Sequence, residues 1–119
     1  MDMRDLNGRC AGMLPSLAVF AIGMTMACDA AAADAQLALG REVFTKLAVP
    51  PCGLCHTLQD AGTSGEIGAK LEELKPDSAR VMEAVRKGLG VMPSYAGKLS
   101  EEQIRSVARY VARVTGGEP

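Results

Sequence analysis

The sequence predicts an all-α domain whose short helices are joined by long loops. Apolar residues recur at helical spacing in three segments, and stretches rich in glycine separate those segments. No long run of alternating β-branched residues predicts a sheet. With 119 residues, the chain is long enough for one small domain.

The first half of the predicted domain has weak helix boundaries. Leu37, Phe44 and Leu47 share one face of a helix, and Pro50-Pro51 ends it. The expected elements are a helix over residues 35–47, a short helix over residues 52–58, a loop over residues 59–68 and a short helix over residues 69–74.

The second half has clearer boundaries. Pro76-Asp77-Ser78 opens a helix that ends at Gly88, and residues 88–99 form a glycine-rich loop. Ser100 and Gln103 have the spacing of a capping box at the start of the last helix. That helix ends at Gly116-Gly117, and its apolar stripe consists of Ile104, Val107, Ala108, Val111 and Val114.

The five residues Cys52-Gly53-Leu54-Cys55-His56 form a C-x-x-C-H sequence, which haem attachment systems recognise. Two thiols at this spacing can add across the two vinyl groups of haem, and the next histidine can supply an imidazole nitrogen to iron. We therefore expect one covalently bound haem c, attached through Cys52 and Cys55, with His56 as an axial ligand of the iron. The redox chemistry would belong to the iron, and the protein would tune it.

Two other uses of a C-x-x-C pair are a thioredoxin-type redox couple and half of a zinc site. The first needs strands in a βαβ pattern, which the sequence does not show. The second needs four ligands, whereas His56 is the only histidine and the remaining cysteines, Cys10 and Cys28, lie in the N-terminal leader. Haem attachment is the favoured interpretation.

Residues 1–33 have the features of a secretory signal peptide. Arg4 and Arg9 precede an apolar stretch, and Ala31-Ala32-Ala33 fits an A-x-A cleavage site. The alternatives are an uncleaved membrane anchor, for which the apolar run is marginal in length, and a lipoprotein lipidated at Cys28, whose preceding residues fit poorly. We expect export to the periplasm and no stable membrane insertion after cleavage, with residues 34–119 as the mature domain.

The mature domain carries equal numbers of acidic and basic side chains, so its charge gives no indication of nucleic-acid binding. Its aromatic residues are Phe44, Tyr95 and Tyr110. Domains this small are marginally stable on burial alone and often contain an additional covalent or metal link. A covalently bound haem would be such a link.

The second axial position of the iron requires another ligand. The chain has no second histidine. Methionine is the usual alternative, and its thioether sulfur raises the reduction potential of the iron. Met82 lies within a predicted helix on a stripe with Val85, which favours a place in the core. Met92 lies in the glycine-rich loop and precedes Pro93, so that loop could turn back across the haem. Met92 is therefore the favoured axial ligand.

Together these features resemble the class I mono-haem cytochromes c over nearly all of residues 34–119. The resemblance implies the class I cytochrome c fold, all-α, with short helices and long loops wrapped around one covalently bound haem. It also implies that the first and last helices cross closely at a glycine, with one aromatic side chain from each helix packed there. The matching residues are Gly40-x-x-x-Phe44, the C-x-x-C-H motif, Gly68-x-x-Leu71, Val91-Met92-Pro93 and Tyr110.

One departure from this family follows the attachment motif. The family commonly has Gly-Pro, whose proline carbonyl accepts a hydrogen bond from the axial histidine, whereas this chain has Gly68-Ala69. The Ala69 carbonyl can accept the same bond. The chain also lacks the tryptophan that contacts a haem propionate in the family, and the candidate replacements are Tyr95, Arg86, Lys98 or backbone groups.

Residues 51–58, 71–77 and 88–95 show a narrower resemblance, to the cytochrome subunit of bacterial periplasmic sulfite dehydrogenases. It implies an electron-transfer protein that accepts single electrons from a molybdenum-containing sulfite dehydrogenase catalytic subunit. A downstream cytochrome c or oxidase of the respiratory chain would receive them. The loops holding residues 52–54 and 88–95 would form the docking surface.

Two alternatives to this function stay open. One is a general periplasmic electron shuttle that serves several redox partners. The other is an enzyme or gas sensor with an open iron position, which would require Met92 to be absent from the iron.

Overall fold

The computed structural model describes the backbone of residues 26–118 and the side chains of residues 29–118. Helices dominate, as the sequence predicts, and the two short strands form one antiparallel hairpin. The elements in chain order are α1 (Met26–Glu42), a π-helical turn (Val43–Leu47), a 3-10 turn (Cys52–Leu54), β1 (Thr57–Leu58), β2 (Thr63–Ser64), α2 (Leu71–Leu74), α3 (Ser78–Lys87) and α4 (Glu101–Thr115).

The first helix starts earlier than the sequence predicts. The expected start is residue 35, whereas α1 begins at Met26 and runs through an alanine-rich stretch, because alanine has the highest helix propensity. Residues 1–25 of the predicted signal peptide, and the side chain of Cys28, lie outside the described residues. Between residues 26 and 118, no helix is long and apolar enough to cross a membrane.

The first and last helices approach closely at Gly40. A Cβ atom on Gly40 would lie 2.2 Å from the Ser106 carbonyl oxygen and 2.6 Å from the Tyr110 Cβ. Only glycine leaves room for backbones at this separation. One turn further along, the rings of Phe44 and Tyr110 meet edge to face, with centroids 6.2 Å apart. The predicted crossing is confirmed.

The buried core includes side chains from the loops as well as from the helices. Leu58 follows the attachment motif, and Tyr95 comes from the loop that holds Met92. The connecting segments are therefore held by apolar burial. The core residues are Val43, Phe44, Ala48, Leu58, Leu71, Val85, Tyr95, Leu99, Ile104, Val107, Tyr110 and Val111.

Local capping chemistry fixes the ends of the later helices as predicted. The Asp77 carboxylate accepts a hydrogen bond from the Arg80 N–H at 2.7 Å at the start of α3. Ser100 and Gln103 form a complete capping box at the start of α4. Gly116 ends α4 with a φ of 74°, a value that glycine adopts without strain.

The expected helix over residues 52–58 is wrong, because the chain leaves the helical path after one 3-10 turn and continues as β1. The Thr63 hydroxyl donates to the His56 carbonyl at 2.9 Å and accepts from the Leu58 N–H at 3.1 Å. This side chain satisfies backbone groups that a longer helix would pair internally. The expected loop over residues 59–68 accordingly contains β2, and α2 covers only Leu71–Leu74 of the expected residues 69–74.

Candidate haem-attachment site

The attachment turn, residues 50–56, is compact and carries two half-buried cysteine side chains. The Cys52 carbonyl accepts hydrogen bonds from the N–H groups of Cys55 (3.2 Å) and His56 (3.0 Å). Both cysteines are free thiols. The turn therefore places two thiols and one imidazole on one short segment of backbone. Two thioether bonds and an axial ligand on the same haem ring require such an arrangement.

The imidazole of His56 is oriented by the backbone of the segment that follows the hairpin. Its Nδ1 lies 2.8 Å from the Ala69 carbonyl oxygen. Because a carbonyl can only accept, Nδ1 carries the proton and Nε2 keeps its lone pair for a metal. The hydrogen bond expected despite the departure from Gly-Pro is thus confirmed.

Residues 65–69 form a strap beneath the attachment turn, and two glycines make room for it. A Cβ atom on Gly68 would lie 2.5 Å from Cε1 of His56, and one on Gly65 would lie 2.6 Å from the Leu54 carbonyl oxygen. The Gly68 N–H also donates to the Cys55 carbonyl at 2.7 Å. The strap therefore acts as a shaped support for the imidazole and for the backbone that carries the thiols.

Two threonines hold the strap and the hairpin in place, and the sequence does not reveal their roles. The Thr57 hydroxyl donates to the Gly65 carbonyl at 2.9 Å, and a Cβ atom on Gly53 would lie 2.3 Å from the Thr63 methyl group. Isolated threonines are common in strands and loops, so neither stands out as a supporting residue in the sequence.

The environment of Cys52 differs from that of a redox-active thiol. Burial raises the pKa of the Cys52 thiol to about 11, and a hydrogen bond from its own backbone N–H offsets only part of that rise. Cysteines that attack disulfides have lowered pKa values and are ionised near neutral pH. Cys52 stays protonated there, which argues against a thioredoxin-type couple.

Met92 closes a tight four-residue turn in the glycine-rich loop. The Leu89 and Met92 backbones exchange hydrogen bonds in both directions, at 3.1 and 3.0 Å. Gly88 enters the turn with a φ of 74°, and a Cβ atom there would lie 2.7 Å from the Met92 carbonyl oxygen. The half-buried Met92 side chain packs against the core. Its position is therefore defined by local backbone geometry.

Tyr95 joins the loop of Met92 to the attachment turn. Its hydroxyl donates to the Pro50 carbonyl at 2.7 Å. Burial raises the pKa of Tyr95 to about 12, and the nearby Cys52 and Cys55 thiols add to the rise when ionised. The structure thus brings this loop beside the two thiols.

Met82 occupies a different environment. It lies on α3 and lines a surface cleft with Gln36 of α1 and Arg105 and Arg109 of α4. Its side chain packs partly against the core. This position supports the prediction that Met82 is a packing residue.

Two of the three candidate propionate contacts have other partners. The Tyr95 hydroxyl is bonded to the Pro50 carbonyl, and the Arg86 guanidinium pairs with the Glu101 carboxylate at 2.6 Å. Lys98 places its Nζ 6.0 Å from the centre of the Tyr95 ring.

Known proteins with similar sequences are haem proteins. The sequence matches the family described as "Cytochrome C oxidase, cbb3-type, subunit III" over residues 35–111. Cytochrome c6 from Leptolyngbya boryana is 35% identical over 81 residues, which cover 65% of this chain and 91% of that protein. The 4-cresol dehydrogenase (hydroxylating) cytochrome c subunit from Pseudomonas putida is 30% identical over 101 residues, covering 84% of this chain and 81% of that subunit.

The chain also resembles a solved structure in both sequence and fold. The c-type cytochrome SorU from Sinorhizobium meliloti is 51% identical, with a TM-score of 0.67, and the match covers 70% of this chain and 94% of SorU.

This chain belongs to the class I mono-haem cytochromes c. It binds one covalently attached haem c and is an electron-transfer protein, not an enzyme. The residues at the site fit that group, since two unpaired thiols accompany a histidine whose Nε2 is free and whose ring rests on a glycine.

We predict that Gly68→Ala displaces the His56 imidazole, because the new Cβ would lie 2.5 Å from the ring. The visible spectrum of the ferric protein should gain a high-spin component, and stability should fall by about 1–3 kcal/mol, as for other overpacked sites. Ala69→Gly is the control, since it keeps the backbone carbonyl that accepts the hydrogen bond from His56 and adds no atom near the ring. A wild-type spectrum and stability for Gly68→Ala would show that the strap does not constrain the His56 imidazole.

Proposed function

We propose that Cys52 and Cys55 attach the haem and that His56 and Met92 ligate its iron from opposite faces. The observation that carries this proposal is the hydrogen bond between Tyr95 and Pro50, which joins the loop of Met92 to the attachment turn. The haem supplies one-electron chemistry through the ferric and ferrous states of iron.

The side chains have separate tasks in this scheme. The Ala69 carbonyl accepts a hydrogen bond from Nδ1 of His56, so the proton of the neutral imidazole lies on Nδ1 and the lone pair of Nε2 is available to iron. Met92 supplies a neutral thioether that raises the reduction potential. With both axial positions filled by protein, no substrate needs to reach the iron, which is what distinguishes an electron carrier from an enzyme or a gas sensor with an open site.

We further propose that residues 1–33 are a signal peptide and residues 34–119 the cytochrome c domain of a periplasmic protein. The family match begins at residue 35, next to the proposed cleavage site after Ala33. Export would carry the two thiols to the compartment in which haem attachment of this type commonly takes place.

The proposed electron donor is the molybdenum-containing catalytic subunit of a sulfite dehydrogenase. Support comes from the three segments that resemble the cytochrome subunit of such enzymes, and one relative is itself named as the cytochrome subunit of a dehydrogenase. Conversion of sulfite and water to sulfate releases two electrons and two protons, so two molecules of cytochrome would each take one electron. A downstream cytochrome c or oxidase would accept them in turn.

The proposed docking surface is formed by the two uncharged loops beside the site. Residues 47–59 and 88–97 contain no Asp, Glu, Lys or Arg. They expose Leu54 (61%), Leu89 (72%) and Val91 (86%) to solvent. A small apolar contact of this kind suits the short-lived complexes of redox partners, and its association depends little on salt because few charges are screened.

A general electron shuttle is the second candidate function. The similarity to cytochrome c6 favours it, since the name of that relative mentions no dehydrogenase. The two candidates differ in whether one dehydrogenase reduces this protein much faster than unrelated reductases do.

We predict that Met92→Ala lowers the reduction potential and lets cyanide or carbon monoxide reach the iron, because the thioether ligand is lost. Met82→Ala is the matched control. It should leave the spectrum and potential unchanged and reduce stability by at most about 2–5 kcal/mol, the range for truncating a buried methionine. Redox titration and visible spectroscopy measure both. A changed visible spectrum in Met82→Ala, with an unchanged spectrum in Met92→Ala, would overturn the assignment of Met92 as the ligand.

We predict fast, sulfite-dependent reduction of the ferric cytochrome by its cognate molybdenum dehydrogenase, with a shallow salt dependence. Stopped-flow absorbance across a salt series measures it. Val91→Glu should slow reduction, because it places a charge in the uncharged docking surface, whereas Ala38→Glu on the exposed face of α1 should not.

Two results would contradict this proposal. Failure of the cognate dehydrogenase to reduce the protein, together with rapid exchange with an unrelated reductase, would favour the general shuttle. Equal rates for Val91→Glu, Ala38→Glu and the wild type would exclude the proposed docking surface.

A further inference from the structure

Tyr95 is held in place by hydrogen bonds of both its side chain and its backbone. Only 3% of the residue is exposed, and its hydroxyl donates to the Pro50 carbonyl across 45 positions of sequence. Among the described residues, this is the hydrogen bond that links the loop at residues 88–99 to the segment at residues 50–56.

The backbone of Tyr95 is equally constrained. Its N–H donates to the Val85 carbonyl of α3 at 2.8 Å. Its carbonyl accepts from the N–H groups of Lys98 (3.0 Å) and Leu99 (3.1 Å). Tyr95 is therefore a fixed point between α3, the end of the loop and the attachment turn.

Met92 is coupled to that fixed point by a short and stiff connection. Two residues separate Met92 from Tyr95, and the first of them is Pro93, whose ring restricts the backbone. Ser94 adds a second constraint, since its hydroxyl donates to the Arg86 carbonyl of α3 at 2.5 Å. Movement of Met92 away from the attachment turn must therefore strain or break the contacts of Tyr95.

We propose that Tyr95 is a positioning residue that keeps Met92 on the iron by tying the ligand loop to Pro50. This inference rests on the proposed ligation by Met92. Local opening of a loop becomes more frequent when one of its buried hydrogen bonds is lost. The Tyr95 hydroxyl thus limits how often the sixth position of the iron opens, while the tyrosine itself does not touch the metal.

Tyr95→Phe in the haem-loaded full chain tests this role, because it removes the hydroxyl and keeps the ring. Tyr110→Phe is the matched control. Tyr110 is also 3% exposed, and its hydroxyl bonds to the Asp60 carboxylate instead of the attachment turn. The measurement is the rate at which ferric protein binds cyanide at saturating concentration, where opening of the loop limits the rate.

We expect Tyr95→Phe to bind cyanide about fivefold faster than the wild type, the factor that corresponds to one typical net hydrogen bond. Tyr110→Phe should bind cyanide at the wild-type rate even if its denaturation midpoint falls as far as that of Tyr95→Phe. A wild-type cyanide rate for Tyr95→Phe, or an equal acceleration in Tyr110→Phe, would overturn the positioning role.

Met92→Ala separates this inference from the function on which it rests. If Met92→Ala binds cyanide no faster than the wild type, Met92 is not the ligand and the proposed ligation fails. If Met92→Ala binds cyanide faster than the wild type while Tyr95→Phe does not, only the positioning role of Tyr95 fails.

Discussion

The hydrogen bond between His56 Nδ1 and the Ala69 carbonyl is the contact on which the haem site depends. It fixes the tautomer that leaves Nε2 without a proton for the proposed bond to iron, and it exists only because residues 65–69 pass directly beneath the attachment turn. That path requires the absence of side chains at Gly65 and Gly68. The hairpin of β1 and β2 delivers the strap to this position, so the local folding of residues 57–64 is part of the redox site.

A second set of contacts fixes the hairpin to the crossed helices. Gly40 lets α1 and α4 approach, and Tyr110 at the crossing donates to the Asp60 carboxylate. Burial and that carboxylate raise the pKa of Tyr110 well above its usual range, so the phenol remains a donor. Arg41 lies beside the same carboxylate, with 3.9 Å between its Nε and an Asp60 oxygen. The helix pair and the attachment segment thus form one support.

The residue pattern itself predicts features whose cause is local, whereas distant contacts could be predicted only where the family resemblance implies them, as for the crossing at Gly40. The ends of α3 and α4 could be predicted because Asp77 and Ser100 bond to backbone a few residues away. Helical periodicity alone could not predict the hairpin, since the Thr63 side chain stabilises it by reaching back to His56. The Tyr95 contact spans 45 positions and leaves no short-range pattern. The motif revealed the chemistry of the site, and only the folded chain reveals what supports it.

Mass spectrometry of the protein matured in a haem-attaching bacterial host can show whether one haem is bound covalently to Cys52 and Cys55. Trypsin cleaves after Lys46 and Lys70, so both cysteines and His56 fall in the peptide of residues 47–70. We expect this peptide to carry the mass of one haem and to lose that haem when both cysteines are replaced by alanine. An unmodified peptide from haem-containing protein, or haem on any other peptide, would contradict this expectation.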